Sequence, residues 1–309
     1  MSGRRVPGTS MLAVNPIAYW LVGGKIDRSE AVLEAAFAEL SRMGFAAVKA
    51  DVPSGMATDA YLGWIGSYGL APSVSLFNSA FDETVDMAIE LDRARRFAAE
   101  QAALGLDRAM VSSVMVRARM AQPGIGADFS EDRFQRCLAN VHLVCEVFRE
   151  QGVRALLHNH IGGVFETAGE VDRVLASIHP DLLGFGPDTG HLRWAGADPA
   201  EVIARYAPRM GAIHLKDVLP DLLEPADRRG LSYLAATSSK RVWAEPGWGV
   251  IDFAAVLDAM PRDYDGDYMI EVDEPSIDDR SESMRRCHHW AVESLASRVD
   301  LSSAAGGQP

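Results

Sequence analysis

The chain has 309 residues, of which 48% are hydrophobic and 24% charged, and its formal net charge is −13 at pH 7. This charge repels phosphate backbones, so we expect no nucleic-acid partner, and no stretch reaches the roughly 18 uninterrupted apolar residues of a membrane span. Three cysteines in a chain of this length indicate a reducing compartment, here the cytoplasm, instead of a disulfide framework.

Short apolar runs alternate with longer amphipathic segments along the chain. The apolar runs predict eight strands, at 11–15, 45–49, 71–77, 109–116, 154–158, 182–187, 212–215 and 268–272. The amphipathic segments, whose apolar residues recur with a period of about 3.6, predict eight helices, at 29–43, 61–68, 83–104, 132–150, 168–178, 199–207, 253–260 and 282–296.

Eight strand–helix pairs in strict alternation indicate parallel strands joined by crossover helices. A count of eight favours a closed barrel over an open sheet, and neither of the common glycine-rich nucleotide-binding motifs is present. We therefore predict an α/β fold, a single (β/α)8 TIM barrel over residues 1–300, followed by a disordered tail at 301–309. In such barrels the functional residues lie at the carboxyl ends of the strands.

Polar side chains cluster where the predicted strands end. Imidazole nitrogens and carboxylate oxygens that converge on one barrel mouth form a binding site for a divalent metal ion. Successive strands five to eight each offer one ligand: His158 or His160, then Asp188, His214 and Glu271. This mixed nitrogen and oxygen set favours Mn²⁺ or Co²⁺, with Zn²⁺, Fe²⁺ and Mg²⁺ as alternatives.

Five motifs in the chain resemble those of one known family. They are LLHNHIGGVFET, DTGHLRWAG, IHLKDV, EPGWGVIDF and MIEVDEP, in this order. The chain is similar to the sugar isomerase/epimerase superfamily of xylose-isomerase-like TIM barrels, and most of all to its inosose (2-keto-myo-inositol) dehydratases. The resemblance covers most of the chain. It implies a metal ion on the strand-five residue, here His158, with Asp188, His214 and Glu271, and it leaves the choice between His158 and His160 open.

The resemblance also implies a reaction that begins by removal of a proton α to a ketone. A base, His160 or Glu271, takes the proton, and Lys216 serves as a cation for the enediolate oxygen. Loss of the β-hydroxyl then gives a dehydratase acting on a keto-inositol or related keto-sugar, in carbohydrate metabolism such as inositol catabolism. The same site could instead serve a ketose isomerase or epimerase, or a 3-keto-glycoside lyase. A non-catalytic sugar-binding barrel is a further alternative.

Substrate contacts are expected from Asn15, Trp20, His191 and Trp248. The chain departs from the dehydratases near Trp20, at Trp248 and at 160–163, where Gly163 removes a hydroxyl, and each change makes the pocket mouth more apolar. We therefore expect a keto-sugar substrate with a larger or less polar substituent. A homo-oligomer is common in the superfamily, and the sequence does not decide the oligomeric state.

Overall fold

The computed structural model describes residues 10–223, 230–239 and 242–299 of the chain. The tail predicted at 301–309 lies outside these residues. Within them, eight parallel strands form the barrel: β1 (Leu12–Val14), β2 (Ala47–Lys49), β3 in two parts (Ala71–Ser73 and Leu76–Ser79), β4 (Arg108–Ser113), β5 (Arg154–Leu157), β6 (Leu183–Phe185), β7 (Ile213–Leu215) and β8 (Tyr268–Ile270).

The barrel closes because neighbouring strands pair in chain order and β8 pairs with β1. The first part of β3 pairs with β2 and the second part with β4. Between β6 and β7, the described residues form only the isolated bridges Phe185–Met210 and Asp188–His214 instead of a continuous ladder. We call this junction the β6–β7 seam. The predicted α/β barrel is thereby confirmed.

Within the described residues, α-helices flank the strands or lie in the loops that follow them. They are α1 (Ile17–Trp20), α2 (Glu30–Met43), α3 (Thr58–Ser67), α4 (Met87–Ala103), α5 (Arg117–Ala121), α6 (Glu131–Glu150), α7 (Ala168–Ser177), α8 (Thr189–Trp194), α9 (Pro199–Tyr206), α10 (Phe253–Ala259) and α11 (Arg280–Leu295). Local sequence explains several of these ends. Gly44 ends α2 in a left-handed conformation, and the Thr167–Glu170 capping box begins α7.

The structure corrects three of the predicted elements. The helix expected at 83–104 begins only at Met87, because the Asp86 side chain caps it by accepting the Ala88 N–H. The strand expected at 71–77 is interrupted after Ser73, close to Pro72, which has no N–H to donate. The strand expected at 109–116 ends at Ser113.

Strand alternation divides the buried apolar residues into two cores. A large core fills the space between the strands and the surrounding helices. A smaller core inside the barrel contains Ala13, Ala47, Ala71, Val74, Met110, Leu156, Ala212 and Met269. These inward residues close the barrel below its carboxyl end, so the site above them has a solid floor.

All three cysteines are free and fully buried, Cys137 and Cys145 on α6 and Cys287 on α11. Burial raises the pKa of the Cys137 thiol to about 12 and that of Cys287 well above its usual value. Among the residues that the structure describes, no helix is both long and apolar enough to cross a bilayer.

Candidate metal centre and active site

The pleat of the strands explains why the predicted ligands meet. Leu156, Ala212 and Met269 point into the barrel core. Since side chains two residues apart lie on the same face of a strand, His158, His214 and Glu271 follow them on the inside, one layer higher.

The sixth strand reaches the same layer by a different path. Its inward position is Gly184, where a Cβ atom would lie only 2.6 Å from Leu156 Cδ2. Asp188 follows four residues later and forms the bridge to His214 across the β6–β7 seam.

The four predicted metal ligands converge in the structure. His158, Asp188 and His214 offer ligand atoms that all lie within 4.8 Å of one another, and so do Asp188, His191 and Glu271. His214 Nδ1 is 3.0 Å from Glu271 Oε2. We call His158, Asp188, His214 and Glu271 the ligand cluster, and all four side chains are buried.

The hydrogen bonds of His158 leave one ring nitrogen available. Its Nδ1 lies 2.9 Å from the Gly186 carbonyl oxygen, which can only accept, so Nδ1 carries the proton and Nε2 is free as a ligand. Burial, with a contribution from His214, lowers the pKa of His158 well below its usual value. The ring is therefore neutral, which is the form that binds a metal ion.

Three other atoms in the cluster lack the hydrogen-bond partners that buried polar atoms normally have. They are Asp188 Oδ2 and both ring nitrogens of His214, of which Nδ1 lies near Glu271 Oε2. Asp188 Oδ1 is engaged, since it accepts the His191 N–H and caps α8. Buried polar atoms without partners are rare and need an explanation. A divalent cation fits this donor set of imidazole nitrogen and carboxylate oxygen.

Lys216 contacts the carboxylates of the ligand cluster and does not line the cavity. Its Nζ donates to Glu271 Oε1 at 2.5 Å and to Asp273 Oδ1 at 2.9 Å, and it is 3.5 Å from Asp188 Oδ2. It is fully buried, with Nζ 4.6 Å from the Trp243 ring centroid. Gly190 allows this approach, because a Cβ atom there would lie 2.7 Å from Lys216 Cγ.

The charges around Lys216 shift one another's pKa values. Burial acts against the charged ammonium, but Asp188, Asp273 and Glu271 outweigh it and raise the pKa of Lys216. Burial also disfavours the Glu271 carboxylate, yet Lys216 and His214 hold its pKa well below the usual value. Burial dominates at Asp273 and raises its pKa to about 7 despite Lys216. Lys216 is thus a structural counter-ion to the ligand carboxylates.

His160 and His191 pack against each other beside the cluster, with ring centroids 3.9 Å apart and ring planes tilted by 38°. His160 lines the cavity, and its Nδ1 lies 2.7 Å from the Ile161 carbonyl oxygen, so its Nε2 is unprotonated. Burial, followed by the nearby Lys216, lowers the pKa of His160 to about 4. His191 is fully buried and accepts the Ile161 N–H at its Nδ1.

The loop that carries His160 is held by buried charged groups. Glu166 Oε2 accepts the N–H of Gly162, and the Arg119 guanidinium donates to the Gly163 carbonyl at 2.8 Å. Arg119 is itself paired with Glu170 at 2.6 Å. These contacts fix the loop directly after β5, and with it the direction of the His160 ring.

A cavity of about 560 Å³ opens above the ligand cluster. Asn15 and Trp20, from which substrate contacts are expected, line this cavity. Asn15 Nδ2 donates to Glu271 Oε2 at 2.6 Å. His191 and Lys216, which were expected to face the substrate, are fully buried and are not part of the cavity wall. The side chains of His160, Trp243 and the ligand carboxylates cover them.

Trp248 lies away from the cavity wall. Its indole is exposed to solvent, and the Arg286 guanidinium of α11 covers it, with Cζ 4.4 Å from the ring centroid. This position does not support the substrate contact expected for Trp248. Asp217 holds the turn at 246–249, because its carboxylate accepts the N–H groups of Gly247 and Gly249.

The structure also brings to the site three residues at strand ends for which no role was predicted: Lys49, Asp51 and Asp273. Lys49 and Asp51 both line the cavity, and Lys49 Nζ contacts the two carboxylate oxygens of Asp51 at 2.6 and 2.7 Å. Asp273 is the second carboxylate partner of Lys216. All three stand at predicted strand ends, so their position gave a signal. The pairing of Lys49 with Asp51 is local, whereas that of Asp273 with Lys216 joins distant parts of the chain.

Among characterised proteins, this chain is similar to an inosose dehydratase from Geobacillus kaustophilus, with 33% identity over 146 residues, 47% of each chain. An inosose dehydratase from Lacticaseibacillus casei is 31% identical over 147 residues. The matched segment spans about half the length of these curated relatives.

Solved structures share the fold over nearly the whole chain. The IolI protein with a bound zinc atom has a TM-score of 0.68 and 12% identity, with 94% of this chain and 99% of that one covered. An L-ribulose 3-epimerase has a TM-score of 0.67 and 16% identity, with 97% and 100% covered. At these identities the likeness concerns the fold alone.

The sequence model of the family described as xylose isomerase-like TIM barrel matches residues 37–290. This range extends from α2 to α11 and includes every residue of the ligand cluster. The match agrees with the resemblance carried by the five motifs and with the barrel architecture. The chain therefore belongs to the xylose isomerase-like TIM barrel family.

Proposed function

We propose that this protein is a metal-dependent carbon–oxygen lyase that removes water from a keto-inositol or related keto-sugar. The observation that carries the proposal is the buried ligand cluster at the floor of the cavity, where Asp188 Oδ2 and His214 Nε2 have no hydrogen-bond partner. The similarity to inosose dehydratases supports the same reaction class. The family alone does not decide it, because one fold serves many reactions.

His158, Asp188, His214 and Glu271 would hold the metal ion, with Mn²⁺ or Co²⁺ favoured by their nitrogen and oxygen atoms. When bound, such an ion supplies Lewis acidity that stabilises negative charge on a ketone oxygen. Lys216 keeps Glu271 charged and fixes its direction through the 2.5 Å contact to Oε1. Asn15 does the same at Oε2.

His160 is the base that fits proton removal best. It lines the cavity, is neutral and has a free Nε2, whereas both oxygens of Glu271 are already engaged by Lys216 and Asn15. His160 takes the proton from the carbon next to the ketone, and the electron pair of that C–H bond forms the new C=C bond. The β C–O bond breaks, and the leaving oxygen receives the proton from His160 and departs as water.

The same residues would serve an isomerase or epimerase if the proton returned to carbon. Product analysis separates the two outcomes, because dehydration removes one water from the substrate whereas isomerisation leaves its mass unchanged. Incubation with 2-keto-myo-inositol and with free ketoses, followed by mass spectrometry, makes this comparison. We expect loss of water from at least one keto-cyclitol or keto-sugar.

The metal site is tested with Asp188→Asn, which keeps an oxygen that can cap α8 but removes the charge of the ligand. Asp252→Asn is the matched control, since Asp252 caps α10 in the same way but is exposed and is not part of the ligand cluster. We expect about one equivalent of divalent metal in the wild type and in Asp252→Asn, and at least a tenfold loss of metal affinity in Asp188→Asn.

Elemental analysis and metal titration measure the metal content of the three proteins. Equal metal content in all of them would contradict the proposed site. Failure of the wild type to take up Mn²⁺, Co²⁺ or Zn²⁺ would contradict the metal-dependent reaction as well.

A further inference from the structure

The cavity above the ligand cluster is larger than a cyclitol requires. Its volume is about 560 Å³. A keto-cyclitol fills roughly 200 Å³ at the packing density of protein interiors. A ring bound next to the cluster therefore leaves more than half of the cavity for another chemical group.

The outer part of this cavity is apolar. Ile26, Val114, Met115 and Leu234 line it, and we call these four residues the apolar rim. They come from three separate segments of the chain, and all are exposed, Ile26 by 69% and Leu234 by 56%. Large apolar side chains that converge from several segments on one opening, and that are all exposed to water, indicate a binding surface for an apolar group.

A flat surface continues the same wall. Trp20 and Arg28 both line the cavity, and the Arg28 guanidinium carbon lies 3.9 Å from the centroid of the Trp20 ring. The guanidinium group therefore lies over the indole, and both groups pack well against aromatic rings. Met115 adds a thioether, which also contacts aromatic rings favourably.

We propose that the outer part of the cavity is a subsite for an aromatic substituent. The substrate is then a keto-sugar joined to an aryl group, and a bare keto-cyclitol fills only the inner part. This inference rests on the proposed function for the reaction at the inner part of the cavity. The subsite itself depends only on the rim, the flat wall and the volume.

A second copy of the chain is the main rival occupant of the apolar rim. The rim residues line a concave cavity that continues to the polar floor at His158, His160 and Glu271. A small molecule with a polar end and an apolar end matches this gradient from polar to apolar. A flat contact between two copies would leave the cavity unfilled.

The test compares two ligands that lack a ketone and so cannot react, 4-nitrophenyl β-D-glucopyranoside and methyl β-D-glucopyranoside. Isothermal titration measures both affinities for the purified protein. We expect the aryl glycoside to bind at least tenfold more tightly, since its ring removes rim surface from water. Equal affinities, or no detectable binding of the aryl glycoside, would overturn the proposal.

A pair of matched double variants locates the effect. Ile26→Ser with Leu234→Ser removes two rim side chains, and Ile89→Ser with Ile125→Ser removes two equally exposed isoleucines that are not part of the cavity wall. We expect the rim variant to lose most of the preference for the aryl glycoside while its affinity for the methyl glycoside is unchanged. The control should behave as the wild type does. An aryl preference that survives in the rim variant would overturn the subsite.

Sedimentation of the same proteins tests the rival occupant. A wild-type dimer that dissociates only in the rim variant, and that shows no aryl preference, would assign the rim to an interface between copies and overturn the proposal. The two proposals fail separately. Aryl preference without turnover of any keto-sugar contradicts the proposed reaction alone, whereas turnover of 2-keto-myo-inositol without aryl preference contradicts the subsite alone.

Discussion

At the scale of single residues, Lys216 reduces the electrostatic repulsion between buried carboxylates at the site. Asp188, Glu271 and Asp273 surround its Nζ, and all of these groups are buried. Three carboxylates so close together repel one another in a medium of low polarity. One ammonium compensates only part of this charge, and a divalent cation would compensate more of it.

Replacement of Lys216 by Met tests this balance. We expect Lys216→Met to lower the free energy of unfolding of the metal-free protein by about 3–5 kcal/mol, because it leaves buried carboxylates without their counter-ion. Added Mn²⁺ should raise the unfolding temperature of this variant more than that of the wild type, since the metal ion restores the missing positive charge. Thermal unfolding with and without Mn²⁺ measures both effects.

Lys49→Met is the matched control for this experiment. Lys49 is also buried and paired with a carboxylate, that of Asp51, but it does not contact the ligand cluster. We expect Lys49→Met to have a lower free energy of unfolding than the wild type, and we expect Mn²⁺ to raise its unfolding temperature by as much as it raises that of the wild type. An equal response of Lys216→Met and Lys49→Met would show that Lys216 does not balance the metal site.

At the scale of elements, the β6–β7 seam is the part of the barrel wall with the fewest strand contacts. Only two isolated bridges join β6 and β7 among the described residues, and one of them pairs the ligands Asp188 and His214. The backbone hydrogen bond that the His214 N–H donates to the Pro187 carbonyl, at 2.9 Å, lies beside these two ligands. A metal ion on both ligands would therefore tie the two strands together.

Hydrogen exchange tests this prediction one amide at a time. Added Mn²⁺ should slow exchange of the His214 amide, which lies at the metal end of the seam, because binding suppresses local opening. The Met110 amide, which donates to the Ser75 carbonyl between β3 and β4, is the internal control and should change less. Equal protection at Met110 and His214 would mean that the metal ion stabilises the whole barrel without acting on the seam.

At the scale of the whole molecule, the barrel and its ligand cluster could be predicted from the sequence. Strand and helix patterns are local, and the rule that strand ends form the site needs only the order of elements. Asp188, His214, Glu271 and either His158 or His160 were predicted in this way, and the structure brings the first three together with His158.

The parts that the sequence did not predict depend on contacts between distant residues. Trp248 is covered by Arg286 from the last helix, which no local pattern near Trp248 indicates. Lys216 was expected to face the substrate, but Trp243, Asp273 and Glu271 enclose it. Strand alternation predicts on which face of the sheet a side chain lies. Whether that side chain reaches the cavity depends on the size and direction of the side chains packed around it.

The buried thiols give this molecule a built-in reporter of its own opening. Cys137 and Cys145 lie on α6, which packs against α4 and β5, and Cys287 lies on α11, which packs against α2. A thiol reagent such as 5,5′-dithiobis(2-nitrobenzoic acid) attacks only the exposed thiolate, so each sulfur reacts when its helix leaves the barrel.

We expect no thiol to react within the mixing time in the folded protein, and all three to react at once in denaturant. Mass spectrometry of partly labelled protein then distinguishes two kinds of motion. If α6 and α11 open together, the three cysteines acquire label at one rate, and if they open separately, Cys287 departs from the other two. A rapid burst of labelling without denaturant would contradict the burial of these side chains. The natural cysteines thus allow the opening rates of two separate helices, α6 and α11, to be measured without any engineered probe.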